Sequence, residues 1–240
     1  MAMMLIDLRK EGRTAAVQFY GCGLRCAYCM HRMQERKEHS VEQVMEFLLD
    51  PKVEEVYLGG GEPTLQNEEL MDLLARIKRM GKRVTLKTNG GDPDLLARAL
   101  SFVSRIVLEI KCPLDDVECY AKLTGMDRGC TERYLAALRQ TLEVLRGKEV
   151  RIWVRAIPHY TTVDRMGRIG KQMHGVAGEA TLVQFLSKPE NDVPFEGISS
   201  PSPSEGEMVL MARKLLEFVP RVEVLGKDFR LEFCSPKRTA

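Results

Sequence analysis

Three cysteines fall within eight residues, at Cys22, Cys26 and Cys29, and this C-x3-C-x2-C spacing constrains the chain more than any other feature. The segment Gly21-Cys22-Gly23-Leu24-Arg25-Cys26-Ala27-Tyr28-Cys29 directly follows a β-prone run over 15–20, AAVQFY. Three thiolates this close, in a loop freed by Gly21 and Gly23, can ligate three irons of a cubane while the backbone wraps around it. The fourth iron then takes another ligand or stays open to a substrate. The same sulfurs also suit zinc, with His31 or His39 completing the set. The spacing favours iron–sulfur, and zinc stays open as the rival.

The other cysteines, Cys112, Cys119, Cys130 and Cys234, bring the total to an odd seven. Without an export signal, that number points to metal or catalysis rather than to a disulfide framework. Residues 1–12 carry Arg9 and Lys10 but no apolar stretch ahead of a small-residue cleavage site. No apolar run approaches the roughly 20 residues of a membrane helix. A cytoplasmic location without a membrane partner is therefore expected. The balance of 36 Lys and Arg against 34 Asp and Glu, net +2, gives little support to a nucleic-acid partner.

The hydrophobic pattern predicts strands over 15–20, 53–58, 83–87, 105–110, 149–157 and 180–186. Helices are predicted from Ser40 to the stop at Pro51, over 68–80, 94–102, 132–146 and 162–174, and from Ser204 to 218. Residues 113–130 are ambiguous, with a broken helix and a loop around Thr124-Gly125 as the reading offered. Residues 188–203 hold four of the eleven prolines and read as a long loop, and 222–225 is short and strand-like. Six strands alternating with helices imply an α/β fold with parallel strands, either an open doubly wound sheet or a partial barrel. The chemistry-bearing residues fall just after strands, where parallel α/β folds place their active sites.

Cys22-x3-Cys26-x-Tyr28-Cys29 after an N-terminal strand resembles the cluster motif of the radical S-adenosylmethionine superfamily. Gly60-Gly61-Glu62-Pro63 is similar to its GGEP motif, and Thr88-Asn89-Gly90 to the TNG element of its smaller activating enzymes. Glu109-Ile110-Lys111 stands where those enzymes carry an acidic-x-Lys element, and Val154 to Pro158 resembles their fifth-strand segment. The resemblance implies a partial (β/α)6 TIM-type barrel over residues 1–190, with 191–240 as a loop-and-helix extension packed on it. It further implies a [4Fe–4S] cluster on Cys22, Cys26 and Cys29, whose open iron chelates S-adenosylmethionine. Tyr28 would shield the cluster, and Gly60 and Gly61 would let the backbone approach the cofactor. Glu62 would accept from its ammonium, Glu109 would face its ribose, and Lys111 its carboxylate. Thr88, Asn89 and Arg155 would complete the cofactor site. No side chain is singled out as catalytic.

The closest group by resemblance is the short glycyl-radical-enzyme activating branch, which includes the anaerobic ribonucleotide reductase activating proteins. Leu5-Ile6-Asp7, Arg13 to Val17, GGEPTLQ over Gly60 to Gln66, and Leu123-Thr124-Gly125 carry that likeness. It implies reductive cleavage to a 5′-deoxyadenosyl radical, a glycyl radical enzyme as protein substrate, and flavodoxin or ferredoxin as reductant. Three positions depart from the pattern: Met30-His31-Arg32 replaces His-Asn after the third cysteine, Lys87 replaces Asp before TNG, and Glu109 replaces Asp. The alternatives are radical modification of a small molecule or RNA base, and a non-catalytic zinc or iron–sulfur adaptor.

Other residues take structural readings. Cys112, Cys119, Cys130 and Cys234 are expected as buried structural thiols rather than ligands of an auxiliary cluster. Trp153 is expected against the helix layer, Gln184 inside the barrel, and His31 and His39 in solvent.

Overall fold

Side chains alternate along residues 150–156: Val150, Ile152, Val154 and Ala156 are buried, while Arg151, Trp153 and Arg155 project to the other face. This two-residue period separates a helix-covered apolar face from a concave polar one. The computed structural model describes residues 2–187, 192–196, 198 and 203–235. In chain order the strands are β1 (Ala2–Glu11), β2 (Thr14–Phe19), β3 (Lys37–Ser40), β4 (Glu55–Gly60), β5 (Arg83–Thr88), β6 (Arg105–Ile110), β7 (Val150–Ala156), β8 (Glu179–Gln184), β9 (Arg221–Leu225) and β10 (Arg230–Cys234). The helices are α1 (Val41–Leu48), α2 (Asn67–Arg79), α3 (Pro93–Ala99), α4 (Val117–Thr124), α5 (Arg128–Val144), α6 (Val163–Met173) and α7 (Glu205–Leu215).

All ten strands form one sheet in the order β10-β9-β8-β7-β6-β5-β4-β2-β1-β3. From β2 through β4 to β9 every neighbour is parallel. Antiparallel β1 and β3 finish one edge, and antiparallel β10 the other. The architecture is the expected α/β fold with a partial TIM-type barrel of parallel strands. It exceeds the expectation by one parallel strand, because the strand-like 222–225 pairs with β8 as β9.

Local chemistry explains the helix ends. Ser40 caps α1 in a capping box with Gln43. Leu70, Leu73, Leu74 and Ile77 bury one face of α2. Asp116 caps α4, and Gly125, at a φ of 66°, ends it in the left-handed conformation. The ambiguous 113–130 segment is thus the broken helix expected, α4 and the start of α5 with the break at Gly125. Residues 2–11 form a strand that the pattern did not announce, since its second half is exposed and charged at Arg9, Lys10 and Glu11.

Of the predicted 188–203 loop, residues 188–191, 197 and 199–202 lie outside the described residues. The expected division at 190/191 is not marked by a break in the sheet. Helix α7 packs on α6 and leads into β9, burying Met208, Met211 and Leu215 in the common core. Two interior assignments change. Trp153 shares the concave face with Arg151 and Arg155 rather than facing the helices. Gln184 is spent on the backbone, donating to the Pro203 carbonyl and accepting from the Lys227 amide.

A chain ending at residue 190 would uncover the Gly167 and Gly170 face of α6, which packs on Lys214 and Phe218, and leave β8 as a raw edge. We expect circular dichroism to show loss of the cooperative melt; a truncated chain that melts as sharply as the full one would contradict a shared core.

Candidate active site

The loop after β2 is held from two sides. Arg25 and Ala27 donate their backbone amides to the carbonyls of Thr124 and Leu123 at the end of α4. A Cβ on Gly125 would meet the Arg25 carbonyl at 2.8 Å, so glycine is required there for close approach as well as for its φ. On the other side Gly61 donates to the Phe19 carbonyl and Glu62 to the Gly21 carbonyl, both at 2.7 Å. A Cβ on Gly61 would lie 2.1 Å from that Gly21 oxygen. The glycines of the GGEP segment therefore let the β4 loop cross the cysteine loop at backbone contact.

Glu62 does more than was expected of it. Its buried carboxylate accepts from Thr64 Oγ1 at 2.8 Å, Thr64 N at 3.2 Å, Thr88 Oγ1 at 2.7 Å and Asn89 N at 2.6 Å. Burial pushes its carboxyl above the ordinary range, while these donors pull it back. Its first role is to lash the end of β4 to the end of β5. Tyr134 and Thr141 then fix the next turn, donating to the carbonyls of Asn89 at 2.7 Å and Gly90 at 2.8 Å.

Across the barrel, Glu109 Oε1 accepts from Lys111 Nζ at 2.8 Å and from the Tyr28 hydroxyl at 3.3 Å. Burial would raise this carboxyl, but the ammonium groups of Lys111 and Lys87 hold it well below the usual carboxylate range. Arg155 pairs with Asp192 at 3.3 Å, and its buried Nε has no hydrogen-bond partner among the described residues. Val193 donates to the Tyr28 carbonyl at 2.9 Å, and the Phe195 ring lies 6.4 Å from that of Tyr28, which covers this side of the site.

One cavity of about 370 Å³ is lined by Cys22, Cys26 and Cys29 together with Tyr28, Gly60, Gly61, Glu62, Thr88, Asn89, Glu109, Lys111 and Arg155. Every candidate residue from the sequence thus faces one space. Burial raises the Cys22 thiol and pushes that of Cys26 up to about 12, so both hold their protons until a metal displaces them. His31 also lines the cavity rather than standing in solvent, with Nδ1 2.6 Å from Gln34 Oε1. Sequence reasoning missed Asp192, which sits in a proline-rich segment, and Gln18, whose only signal was parity along its strand; Lys87 stood out as a departure before TNG but was given no role in the site.

None of the remaining four cysteines is the buried free thiol that was expected. Cys112 and Cys119 are joined as a disulfide rather than standing as separate thiols. Their sulfurs are committed to each other and offer no thiolates to a second cluster. Cys130 is partly exposed and Cys234 is exposed.

A parallel α/β barrel with a cysteine triad opening onto a polar cavity at its strand ends defines a cofactor-dependent class of protein. The Radical SAM superfamily model matches residues 17–155, and the chain belongs to that superfamily. Among similar proteins, a pyruvate formate-lyase-activating enzyme of Clostridium pasteurianum is 29% identical over 180 residues, 71% of each chain. A putative glycyl-radical enzyme activating enzyme of Methanocaldococcus jannaschii is 27% identical over 123 residues, 49% of this chain and 50% of its own. A 7-carboxy-7-deazaguanine synthase of Methanospirillum hungatei is 32% identical over 121 residues, 47% of this chain and 50% of its own. The matches to these last two span about half of each relative's length. The crystal structure of Streptococcus suis SuiB bound to S-adenosylmethionine shares the fold, with a TM-score of 0.61 at 14% identity over 87% of this chain and 45% of that one.

The family implies an iron–sulfur cluster and S-adenosylmethionine, and the residues present fit both. Three thiols answer the cluster. The unpartnered Arg155 Nε and the side-chain-free Gly61 crossing suit a polar ligand held close to the backbone. No helix among the described residues is long and apolar enough to cross a membrane.

Gly61→Ala should cost about 2–4 kcal/mol through overlap with the Gly21 carbonyl, read as a lower urea midpoint. Gly23→Ala, with nothing within 4 Å of its Cβ, should be near neutral. Equal midpoints for the two variants would refute the crossing.

Proposed function

We propose that the chain is a radical enzyme that removes a hydrogen atom from its substrate, using S-adenosylmethionine at a [4Fe–4S] cluster on Cys22, Cys26 and Cys29. The observation that supports this best is the convergence of the three thiols and the nine candidate cofactor residues on one cavity. Held by Cys22, Cys26 and Cys29 and reduced by an external donor, the cluster would supply the electron for reductive cleavage of bound S-adenosylmethionine to methionine and a hydrogen-abstracting 5′-deoxyadenosyl radical.

The chain's own residues bind, orient and exclude water. Lys111 uses one of its three donors on Glu109 and keeps two for the cofactor carboxylate. Glu109 keeps Oε2 as an acceptor for ribose hydroxyls, since Lys87 stands 3.8 Å from it. Arg155 Nε is a donor in waiting. Gly60, Gly61 and the Thr88-Asn89 turn offer backbone close to the ligand, and Tyr28 with Phe195 keeps water from the cluster side. In this reading residues 1–190 hold the radical core, and residues 191–240 close it, supplying Asp192 and Phe195.

The finer reading is an activating enzyme whose target is a backbone glycine in a glycyl radical enzyme, with flavodoxin or ferredoxin as electron source. Its support is the motif likeness and the activating enzymes among the relatives. A second reading, modification of a small molecule, is favoured by Lys87, a cation where the activating pattern has an acid. The deazaguanine synthase among the relatives supports it.

Anaerobic reconstitution should load about four irons per chain, and dithionite with S-adenosylmethionine should then yield 5′-deoxyadenosine. Cys26→Ala is expected to lose both the iron–sulfur absorbance and the product. A wild-type cubane that makes no 5′-deoxyadenosine would sink the enzyme reading and leave an adaptor.

A further inference from the structure

Among the described residues, Lys87 is the most loosely paired of the cations that line the cavity. Lys111 is matched by Glu109 at 2.8 Å, Arg155 by Asp192 at 3.3 Å, and Arg9 at the rim by Asp7 at 2.5 Å. Glu62 is satisfied by neutral donors. Lys87 has only a long ion pair, to a carboxylate that Lys111 already holds more closely. Its ammonium stands 3.8 Å from Glu109 Oε2, beyond hydrogen-bond reach, and 4.4 Å from the centroid of the Trp153 ring. It makes no hydrogen bond to any described residue.

A second polar group faces the same space. Gln18 lines the cavity from β2, and its side-chain amide likewise has no hydrogen-bond partner among the described residues. Gln18 is level with Gly59 of β4, and Leu58 pairs with Leu86, so Gly59 and Lys87 occupy the next positions on adjacent strands. Gly59 carries no side chain to separate the two groups, and the Tyr57 ring folds beneath, 2.7 Å from where a Gly59 Cβ would stand. Lys87 and Gln18 each sit one residue before the end of their strand, deeper in the barrel than Thr88 and Lys111.

A half-buried ammonium without a hydrogen-bond acceptor is under-satisfied, and the Trp153 face and the long Glu109 pair offset only part of that cost. Nothing in the cofactor assignments uses it, since Lys111 and Arg155 already supply cations there. We propose that Lys87, seated on Trp153 with Gln18 across the cavity, anchors a carboxylate of a small organic acid that serves as substrate. The two donor groups match the two oxygens of a carboxylate, one bond from the ammonium and one from the amide. A small acid fits because the cavity, about 370 Å³, must also admit the cofactor. This rests on the hydrogen-abstraction reading and sharpens its small-molecule form.

The test uses benzoate and its neutral isostere benzamide as probes, titrated calorimetrically into the cluster-loaded, full-length protein with S-adenosylmethionine bound. Benzoate should bind at least tenfold more tightly than benzamide. Lys87→Met should erase that preference while S-adenosylmethionine affinity falls by less than tenfold, the part that loosening Glu109 accounts for. Lys87→Arg should keep the preference, and Gln18→Leu should weaken benzoate several-fold. Equal affinities for the two probes in the wild type, including no binding of either, would overturn the anchor. So would a tenfold loss of S-adenosylmethionine affinity in Lys87→Met, which would move Lys87 to the cofactor. Failure of the broader reading looks different: S-adenosylmethionine itself would not bind, and the probe preference would still be measurable without it.

Discussion

The carboxylate of Glu62 sits where the ends of β4 and β5 meet, and the geometry of the cavity depends on it. It accepts from Thr64, Thr88 and the Asn89 amide, while its own backbone amide binds the Gly21 carbonyl. One residue therefore references three segments to each other: the cysteine loop, the glycine-rich turn and the 88–90 turn. A buried carboxylate is tolerable there because four donors converge on it. Removing any of them would leave charge in a dry place.

The rest of the site follows from strand parity and loop crossing. Inward positions of β5, β6 and β7 set Lys87, Glu109, Trp153 and Arg155 on the concave face, while their outward neighbours Leu86, Leu108, Ile152 and Val154 bury against helices. The cysteine loop is clamped between the end of α4 and the β4 turn, so the thiols open onto the same space as those polar side chains. Rigid elements thus hold a cluster-binding loop and a cofactor-binding rim in fixed relation, which is what radical chemistry demands of a protein.

Much of this was legible in the sequence because the active-site groups sit at strand ends, where motif and secondary structure coincide. Cys22 to Cys29, Gly60 to Glu62, Thr88 to Asn89 and Glu109 to Lys111 each close a strand that hydrophobic pattern alone locates. What stayed hidden depends on long-range geometry. The edge strand β1 is half charged and gains its partners only from β2 and β3. Asp192 reaches Arg155 across 37 residues of chain, a pairing no local pattern announces. Trp153 and Gln184 were assigned to the wrong faces because parity can be counted in a sequence but the inward side cannot. Cys112 and Cys119 read as separate thiols because one lies in the loop after β6 and the other on α4, and only the fold reveals their approach.

The central claim is that the three thiols and the polar rim serve one ligand pair. Electron paramagnetic resonance of the reduced, reconstituted protein tests it most directly. Adding S-adenosylmethionine labelled with 15N and 17O at its amino and carboxylate groups should shift the cluster signal and introduce hyperfine coupling from both labels. A cluster signal unchanged by the labelled cofactor would contradict a shared site.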